Sequence, residues 1–254
     1  MSNALIIPSH LDGFNLRVLL DFLVRYSGDG HFDEAWIVHE TDEEIKNTKK
    51  LLASLADPRL RVLKNSGAGI MGCINEALQN SEASGFVVIP GDDFPIVFSL
   101  KDFFDLLQSG CVFVSGTRYA HGGVRVGGNI VGNLLSVLCA KLVGKFSRRG
   151  YTDLTTGVKG FNRKYFDALS REVPLSAGWE FGFHMSLNSE SIPGGVGEVA
   201  IRSVDRIFGG ESSFRLLISI KKYGQVAVKY ICSFLSSPSG GGSTVLVRKI
   251  KFEE

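Results

Sequence analysis

Short apolar runs alternate with longer segments of helical period over the first 115 residues. The runs are bounded by glycine, proline and polar turn residues, which is typical of strands buried inside a parallel sheet. The segments between them repeat apolar residues every three or four positions, as helices that cross over between parallel strands do. This alternation predicts an α/β fold in which helices flank a mainly parallel sheet. The predicted strands are residues 4–8, 35–38, 60–63, 86–89 and 112–114, and the predicted helices are residues 14–26, 43–56, 70–79 and 100–108.

The second half of the chain is less regular and carries two longer helical segments. Residues 130–146 are apolar almost all round, so this predicted helix is either buried or inserted into an apolar medium. Residues 214–235 carry an apolar stripe on one side, whereas Lys222, Gln225 and Lys229 share another, which predicts a basic amphipathic helix. The stripe consists of Leu217, Ile220, Gly224, Ala227, Ile231 and Phe234.

Shorter helical or strand-like elements are predicted at residues 165–170, 178–188 and 197–201. After the amphipathic helix comes a segment rich in proline, glycine and serine, followed by a short strand-like tail. The chain is therefore expected to comprise a globular domain (1–213), the amphipathic helix (214–235) and a flexible linker and tail (236–254).

Composition and charge exclude several classes of protein. Hydrophobic residues make up 44% and charged residues 21% of the chain, which is ordinary for a globular protein and excludes a disordered one. The 28 basic and 26 acidic residues leave a net charge of +2, so no overall field favours nucleic acid as a partner. The cysteines lack the pair spacing of metal sites, which predicts reduced core residues at Cys73, Cys111, Cys139 and Cys232.

Signals for secretion or for crossing a membrane are not found in the sequence. No stretch of about 20 apolar residues occurs, because lysines interrupt the most apolar windows. The N-terminus passes directly into the first apolar run, without the basic region of a secretory signal. We therefore expect a cytoplasmic protein that does not span a membrane but is able to lie on one.

An acidic turn, Gly91-Asp92-Asp93, directly follows the predicted strand 86–89. Ligands of open α/β sheets bind at the carboxyl ends of the strands. Two adjacent carboxylates repel each other unless a cation lies between them and an anionic ligand. The turn therefore predicts Mg²⁺ or Mn²⁺ on Asp92 and Asp93, bridging to a diphosphate. The alternative is a solvated acidic turn without a ligand.

Two further loops at the same predicted edge are candidates for nucleotide binding. The first strand ends in Pro8-Ser9-His10-Leu11-Asp12, where Asp12 is able to accept hydrogen bonds from a base or a ribose. Asp12 is equally suited to cap the next helix, and His10 to pack in the turn. The run 65–69 contains Gly67 and lets backbone approach a ligand, although an ordinary strand-to-helix turn has the same composition.

Several blocks in the same order resemble a known family. Over roughly residues 4–215 the chain looks like GT-A inverting glycosyltransferases, specifically dolichol-phosphate mannosyltransferases and bacterial polyprenyl-phosphate glycosyltransferases. The blocks are Ile6 to Ser9 with Asp12 and Asn15, Val87-Val88 before the acidic turn, Ser115 to Tyr119 with Gly122-Gly123, Asp153 to Phe161, Glu180-Phe181, and Asp205-Arg206 before Gly210-Glu211-Ser212.

The resemblance implies transfer of a hexose from a GDP- or UDP-linked sugar to dolichyl or undecaprenyl phosphate, with inversion at the anomeric carbon. A phosphate acceptor is already anionic, so positioning and charge stabilisation replace a general base. By resemblance, Pro8, Ser9, His10, Asp12, Glu40, Gly67 and Asp92 bind the donor, and Arg118, Lys159, Glu180, Arg206 and Ser212 bind the acceptor. Asp92, Asp153, Arg118 and Arg206 are the implied catalytic residues, with Asp92 and Asp93 holding the metal.

The chain departs from the family at several of these positions. Pro90 stands where the first carboxylate of the Asp-x-Asp metal motif is expected, and His39-Glu40 replaces part of an acidic run that contacts the base. The expected phosphate-binding arginine is Lys159, and Ser213 replaces an expected lysine. These departures leave two alternatives open. One is transfer to a hydroxyl acceptor in surface-glycan synthesis, with Asp153 as the base, and the other is a non-catalytic GT-A domain that binds a nucleotide sugar or scaffolds a partner.

Individual candidates also have structural explanations. Arg118 and Arg206 could each form a surface salt bridge, Asp153 could cap a turn, and Glu180 could pair with a buried arginine. A lipid acceptor implies an enzyme at the cytoplasmic membrane face, held there by the helices 130–146 and 214–235 or by a membrane-anchoring subunit. Core packing explains the first of these helices equally well, and a plain surface helix explains the second.

Overall fold

The computed structural model describes residues 2–26, 31–67, 69–128, 149–209, 216–236 and 245–249, together with the single positions 134, 136–138 and 141. Within these residues the chain forms an eight-stranded sheet and a separate two-stranded sheet, with helices on both faces of the larger one. The strands are β1 (Asn3–Pro8), β2 (Glu34–His39), β3 (Leu60–Lys64), β4 (Gly85–Val88), β5 (Cys111–Thr117), β6 (Val124–Val126), β7 (Lys159–Asn162), β8 (Gly195–Ala200), β9 (Arg202–Val204) and β10 (Leu246–Arg248).

The strand order in the large sheet is β10-β8-β5-β7-β4-β1-β2-β3. Strands β4, β1, β2 and β3 are parallel to one another, and so are β5, β8 and β10. Strand β7 lies between these two groups and runs antiparallel to both β4 and β5. The expected α/β fold with a mainly parallel sheet is therefore confirmed. The strand β7 was not predicted, because its glycine and polar residues lack a run of apolar positions.

The helices are α1 (Phe14–Tyr26), α2 (Asp42–Leu55), α3 (Gly69–Gln79), α4 (Leu100–Gln108), α5 (Arg163–Leu169), α6 (Phe181–Asn188) and α7 (Leu216–Ser236). Helix α2 shows why such boundaries are readable in a sequence. The Thr41 side chain accepts from the Glu44 amide and the Glu44 side chain bonds back, forming a capping box. The helix ends at Leu55, because the following residue, Ala56, has a φ of 52°, outside the helical region.

Alternation along the central strands divides the hydrophobic core in two. Ile6 of β1 faces one core together with Trp36 and Val88, whereas Leu5 faces the other together with Val87. Helices α3, α5 and α6 cover the first core, and helices α1 and α4 cover the second. Both faces of the sheet are buried, which explains why the strands read as uninterrupted apolar runs.

Helix α7 covers most of the predicted amphipathic segment and packs on the body of the protein. Tyr223, Val226, Ala227 and Tyr230 are partly buried against the core. Within the predicted apolar stripe, Ala227 and Ile231 are half-buried and Gly224 is exposed. The hydroxyls of Tyr223 and Tyr230 add hydrogen bonds to the body. The full stripe stays a prediction, because the remaining side chains of the stripe lie outside those that the structure describes.

The outcome for the remaining segments varies. Most of the predicted helix 130–146 lies outside the described residues, although its described positions are helical. Residues 246–248 of the predicted tail pair with β8 as an edge strand.

The cysteine predictions are confirmed in part. Cys73 and Cys111 are buried and free, as expected, whereas Cys232 is exposed on α7. Cys139 lies outside the described residues. Across the helices that the structure describes, none has the length and apolar character needed to cross a membrane.

Candidate functional site

A cavity of about 290 Å³ opens at the carboxyl ends of β1, β2 and β4. Most of the residues predicted to bind a nucleotide lie in its wall. They are Pro8, Ser9, His10, Asp12, Glu40 and Asp92. The cavity therefore stands where a parallel sheet presents its strand ends and the loops that follow them, as the sequence predicted.

Arg206 joins the two carboxylates of this cavity. Its Nη2 lies 3.1 Å from Asp12 Oδ1, and its Nε lies 2.8 Å from Asp92 Oδ2. Burial, together with the charge of Asp92, raises the pKa of Asp12 to about 6. Burial also raises the pKa of Asp92, and the Arg206 guanidinium opposes that rise. Two carboxylates facing one cation leave a site that attracts a further cation.

Gly91 allows the two acidic loops to approach each other. A Cβ at this position would lie 2.4 Å from Asp12 Oδ2 and 3.3 Å from Ser9 Cβ, so no larger residue fits without displacing Asp12. The same Asp12 oxygen accepts a hydrogen bond from the His10 amide at 3.2 Å. The glycine before the two aspartates thus fixes the separation of Asp12 and Asp92.

His39 supports the first loop from beneath. Its Nδ1 is 3.0 Å from the Ser9 carbonyl oxygen, and its Nε2 is 2.8 Å from Thr48 Oγ1. Burial lowers the pKa of His39. His39 stands where the family resemblance expects a carboxylate, but its side chain is buried and its hydrogen bonds hold the first loop in place. Glu40, the next residue, lines the cavity.

Asp93 does not join Asp92 in the cavity. Its carboxylate accepts hydrogen bonds from Ser203 Oγ at 2.5 Å and from the Val204 amide at 2.9 Å, which fastens β9 to the end of β4. Burial raises its pKa to about 7. The expectation of a metal shared by the two aspartates does not match this placement, because Asp92 faces Arg206 in the cavity whereas Asp93 faces β9.

Arg118 and Asp153 form a buried pair outside the cavity wall. Arg118 Nε lies 2.7 Å from one Asp153 oxygen, and its Nη2 lies 3.0 Å from the other. Although burial opposes ionisation, the guanidinium holds the pKa of Asp153 below its usual range. The predicted roles of Arg118 at the acceptor and of Asp153 as a base are not supported, because this pair is buried away from the residues that line the cavity.

Lys159 is also turned into the core. Its Nζ donates to Ser115 Oγ at 2.8 Å and to Ser186 Oγ at 2.7 Å. Burial lowers its pKa to about 7. This arrangement does not support the predicted contact of Lys159 with the acceptor, because β7 places the side chain between the sheet and α6, away from the residues that line the cavity.

The last candidates lie around the cavity or outside the described residues. Glu180 forms an ion pair with Lys222 of α7 at 3.0 Å, while the residues on either side of it line the cavity. Gly69, rather than Gly67, forms the wall at the start of α3. Ser212 lies outside the residues that the structure describes.

Sequence reasoning missed the apolar wall of the cavity. Ile70 and Cys73 of α3 form one side, and Trp179 and Phe181 form another. Apolar side chains at a helix start carry no local signal that separates a ligand contact from core packing. The only sequence indication was that Trp179 and Phe181 flank Glu180 in one of the blocks that resemble the family.

A divalent cation fits this cavity only if the phosphate oxygens of a bound nucleotide supply some of its ligands. Among the described residues there is no group of three or more histidine, cysteine, aspartate or glutamate side chains arranged to hold a metal. Magnesium and manganese commonly take one or two carboxylates and complete their shell with phosphate oxygens. Asp92, with Asp12 beside it, offers this minimal donor set.

Comparison with solved structures identifies the fold. The chain superposes on glucosyl-3-phosphoglycerate synthase from Mycobacterium tuberculosis in complex with Mn²⁺, UDP and glucosyl-3-phosphoglycerate, with a TM-score of 0.62 and 14% identity over 94% of this chain and 82% of that chain. The chain shares this fold. A complex of the same enzyme with phosphoglyceric acid gives a TM-score of 0.62 and 13% identity, covering 98% and 88% of the two chains.

A third complex, with Mg²⁺ and UDP, gives a TM-score of 0.63 and 13% identity, covering 94% of this chain and 81% of that chain. The GT-A architecture that the sequence resemblance implied is therefore confirmed. No family model matches the sequence. At such low identity the likeness concerns the fold, and the chemistry of this chain has to be argued from its own residues.

Proposed function

We propose that the protein is a glycosyltransferase whose cavity binds a nucleotide diphosphate sugar. One observation carries the proposal: Arg206, Asp12 and Asp92 meet at the carboxyl ends of β1 and β4. Guanidinium groups bind phosphate oxygens in a bidentate manner, and carboxylates bind the cation that accompanies a diphosphate. The superposed enzyme was solved with UDP and Mn²⁺ or Mg²⁺, which supports the same donor chemistry here.

The donor is expected to lie across the edge of the sheet. Ser9, His10 and Glu40 line the part of the cavity over β1 and β2, where a base and a ribose find polar partners. The diphosphate would then lie at Asp92 and Arg206. Mg²⁺ or Mn²⁺ bound by Asp92 would supply charge neutralisation of the diphosphate leaving group.

The residues of this chain position the donor and stabilise charge. Arg206 is held between two carboxylates, so it offers a fixed positive group to the diphosphate as negative charge develops there. Trp179 and Phe181 give the sugar end of the cavity an apolar wall that excludes water. No general base is needed when the acceptor is a phosphate, because that nucleophile is already ionised.

For the acceptor we favour a polyprenyl phosphate, as the sequence resemblance implied. Exposed apolar side chains surround the loops that bear Asp12 and Arg206: Leu11 and Phe14 on one side, Ile207 and Phe208 on the other. Exposed apolar groups at the rim of a charged cavity suit a ligand with a phosphate head and a hydrocarbon chain. Inversion at the anomeric carbon then follows from a single in-line displacement.

A second candidate is transfer to a hydroxyl group of a small phosphorylated acceptor. Complexes of the superposed enzyme contain phosphoglyceric acid or glycerol 3-phosphate together with UDP-glucose. Such a reaction needs a base for the hydroxyl proton, and Asp153 does not qualify because it is paired with Arg118 inside the core. This second reading therefore requires a base other than the one the sequence proposed.

We also propose a peripheral position on the cytoplasmic membrane face, with a membrane-anchoring subunit as a further candidate partner. Lys221 and Lys229 of α7 are exposed, and basic helices bind anionic lipid surfaces. Changing both lysines to glutamate should lower co-sedimentation with vesicles of anionic lipid. Lys222 is left intact, since it pairs with Glu180. Vesicle binding equal to that of wild type would refute this role of α7.

Calorimetric titration with UDP, GDP and their sugars, with and without Mg²⁺ or Mn²⁺, tests donor binding. We expect one nucleotide to bind in a metal-dependent manner, and Asp92→Asn to abolish that dependence. Asp105→Asn is the control, because Asp105 is a surface aspartate that pairs with Lys101 in its own helix and does not line the cavity. Folded wild-type protein that binds no nucleotide would overturn the proposal and leave a binding domain of another kind.

Transfer assays with the nucleotide sugar that binds then separate the acceptors. Detergent-solubilised polyprenyl phosphate and glycerol 3-phosphate are offered in parallel. Product on the lipid alone supports the favoured reading, whereas product on glycerol 3-phosphate alone replaces it with the second candidate. Donor binding without transfer to either acceptor would contradict both.

A further inference from the structure

The turn that carries Arg206 into the cavity has a strained backbone. It follows β9 and is closed by a hydrogen bond from the Gly209 amide to the Arg206 carbonyl oxygen, at 3.1 Å. Arg206 has a φ of 36° and Gly209 a φ of 72°. Glycine adopts such values freely, whereas arginine does so only at a cost in free energy. A strained residue of this kind persists when its surroundings hold it in place.

The Asn15 side chain provides such a hold. This residue lies in the first turn of α1 and is 5% exposed. Its Oδ1 accepts from the Phe208 amide at 3.2 Å, and its Nδ2 donates to the Gly209 carbonyl oxygen at 2.9 Å. The same Nδ2 lies 3.3 Å from the Asp12 carbonyl oxygen. One amide thus connects the loop of Asp12 with the turn of Arg206, across 194 positions of sequence.

A second contact holds the same two segments together. The rings of Phe14 and Phe208 meet edge to face with centroids 5.1 Å apart. This contact holds the turn against α1. It does not fix the exact position of the turn along the helix, because aromatic packing tolerates a wider range of offsets than a hydrogen bond does. The paired donor and acceptor of Asn15 fix the register, since they require one amide and one carbonyl of the turn at the same time.

We propose that Asn15 is a positioning residue, which sets the place of the Arg206 guanidinium between Asp12 and Asp92. The consequence for nucleotide binding rests on the proposed function, whereas the placement of Arg206 does not. Truncating Asn15 removes both hydrogen bonds to the turn and releases the strain at Arg206. The guanidinium then loses its fixed position while its charge stays the same.

The placement is tested directly by the Nε–H signal of Arg206 in a proton–nitrogen NMR correlation, assigned by its loss in Arg206→Lys. In wild-type protein the Nε–H donates to Asp92, so we expect a shifted signal protected from exchange with water. Asn15→Ala should move this signal to the position of a solvated arginine. Asn3→Ala is the matched control, because Asn3 is an equally buried amide that tethers a loop at the opposite end of β1.

Asn15→Asp provides a second variant in case the alanine variant does not fold. An aspartate near the start of α1 favours the helix, keeps an acceptor for the Phe208 amide and loses the donor to Gly209. The Arg206 signal should again lose its protection. An Arg206 signal unchanged in both Asn15 variants would overturn the inference.

Nucleotide titration of a double-mutant cycle gives the functional readout. Asn15→Ala should weaken nucleotide diphosphate binding roughly three- to tenfold, as expected for lost hydrogen bonds that act through one group. In an Arg206→Ala background the same change should have no further effect, because there is no guanidinium left to position. Additive losses would show that Asn15 acts independently of Arg206 and would refute the positioning role. Absence of nucleotide binding in wild type would instead count against the proposed function, with the NMR result unaffected.

Discussion

Replacing Lys159 by methionine tests whether this lysine is a structural core residue or a phosphate ligand. Methionine has nearly the same volume and needs no hydrogen-bond partner. The oxygens that now accept from Lys159 keep other partners: Ser115 Oγ donates to the Asp153 carbonyl and Ser186 Oγ to the Leu154 carbonyl. Asp153 retains its pairing with Arg118. The variant should therefore fold.

The expected gain in stability follows from the pKa of Lys159, which burial lowers from 10.5 to about 7. Between these two values the unfolded chain binds a proton that the folded protein does not, so the stability of wild type rises with pH across this window. The free energy of unfolding of wild type should therefore be lower than that of Lys159→Met, by about 3 kcal/mol at pH 8 and by about 1 kcal/mol at pH 9.5. Below pH 7 this difference in unfolding free energy reaches a plateau.

Urea unfolding of both proteins at pH 6.5, 8 and 9.5 measures this difference. Lys101→Met is the control, because it makes the same substitution at an exposed lysine on the surface of α4. A nucleotide titration at pH 8 should give the same affinity for Lys159→Met and wild type. The reasoning is refuted if the variant is less stable than wild type at pH 8, or if its advantage does not shrink at pH 9.5.

Three further changes have distinct expected results. Gly91→Ala should push the Asp12 carboxylate aside and weaken nucleotide binding roughly tenfold in calorimetry, and Asp12→Ala should relieve the accompanying loss of thermal stability. Asp153→Asn should cost about 3 to 5 kcal/mol in urea unfolding, because it leaves the buried Arg118 without its counter-charge. Tyr223→Phe should cost about 1 kcal/mol, since its hydroxyl no longer donates to a backbone carbonyl in the cavity wall; an unchanged unfolding midpoint would contradict this.

The cavity itself was predictable because the ends of parallel strands meet at one edge of a sheet. Once the apolar runs of β1 and β4 are recognised, the residues that follow them have to lie close together. Asp12 and Asp92 were found in this way, and Arg206 through its place in a block that resembles the family. These loops can be assigned to the site from the order of the strands alone, without knowledge of side-chain packing.

The direction of each charged side chain was not predictable in the same way. Asp92 and Asp93 are adjacent, yet one faces Arg206 and the other Ser203. Lys159 turns inward because β7 enters the sheet antiparallel between β4 and β5. Neither outcome has a local signal, since the free energy of burying a charge depends on partners that the fold brings from far along the chain.

The sequence by itself determined the succession of strands and helices, because hydrophobic periodicity and capping residues act over a few neighbouring positions. It also determined which loops share the carboxyl edge of the sheet. Only the tertiary structure decided which charges face the cavity and which pair in the core. The contact of Asn15 with the turn of Arg206 belongs to this second group, because it joins residues 194 positions apart through hydrogen bonds that exist only after the sheet has formed.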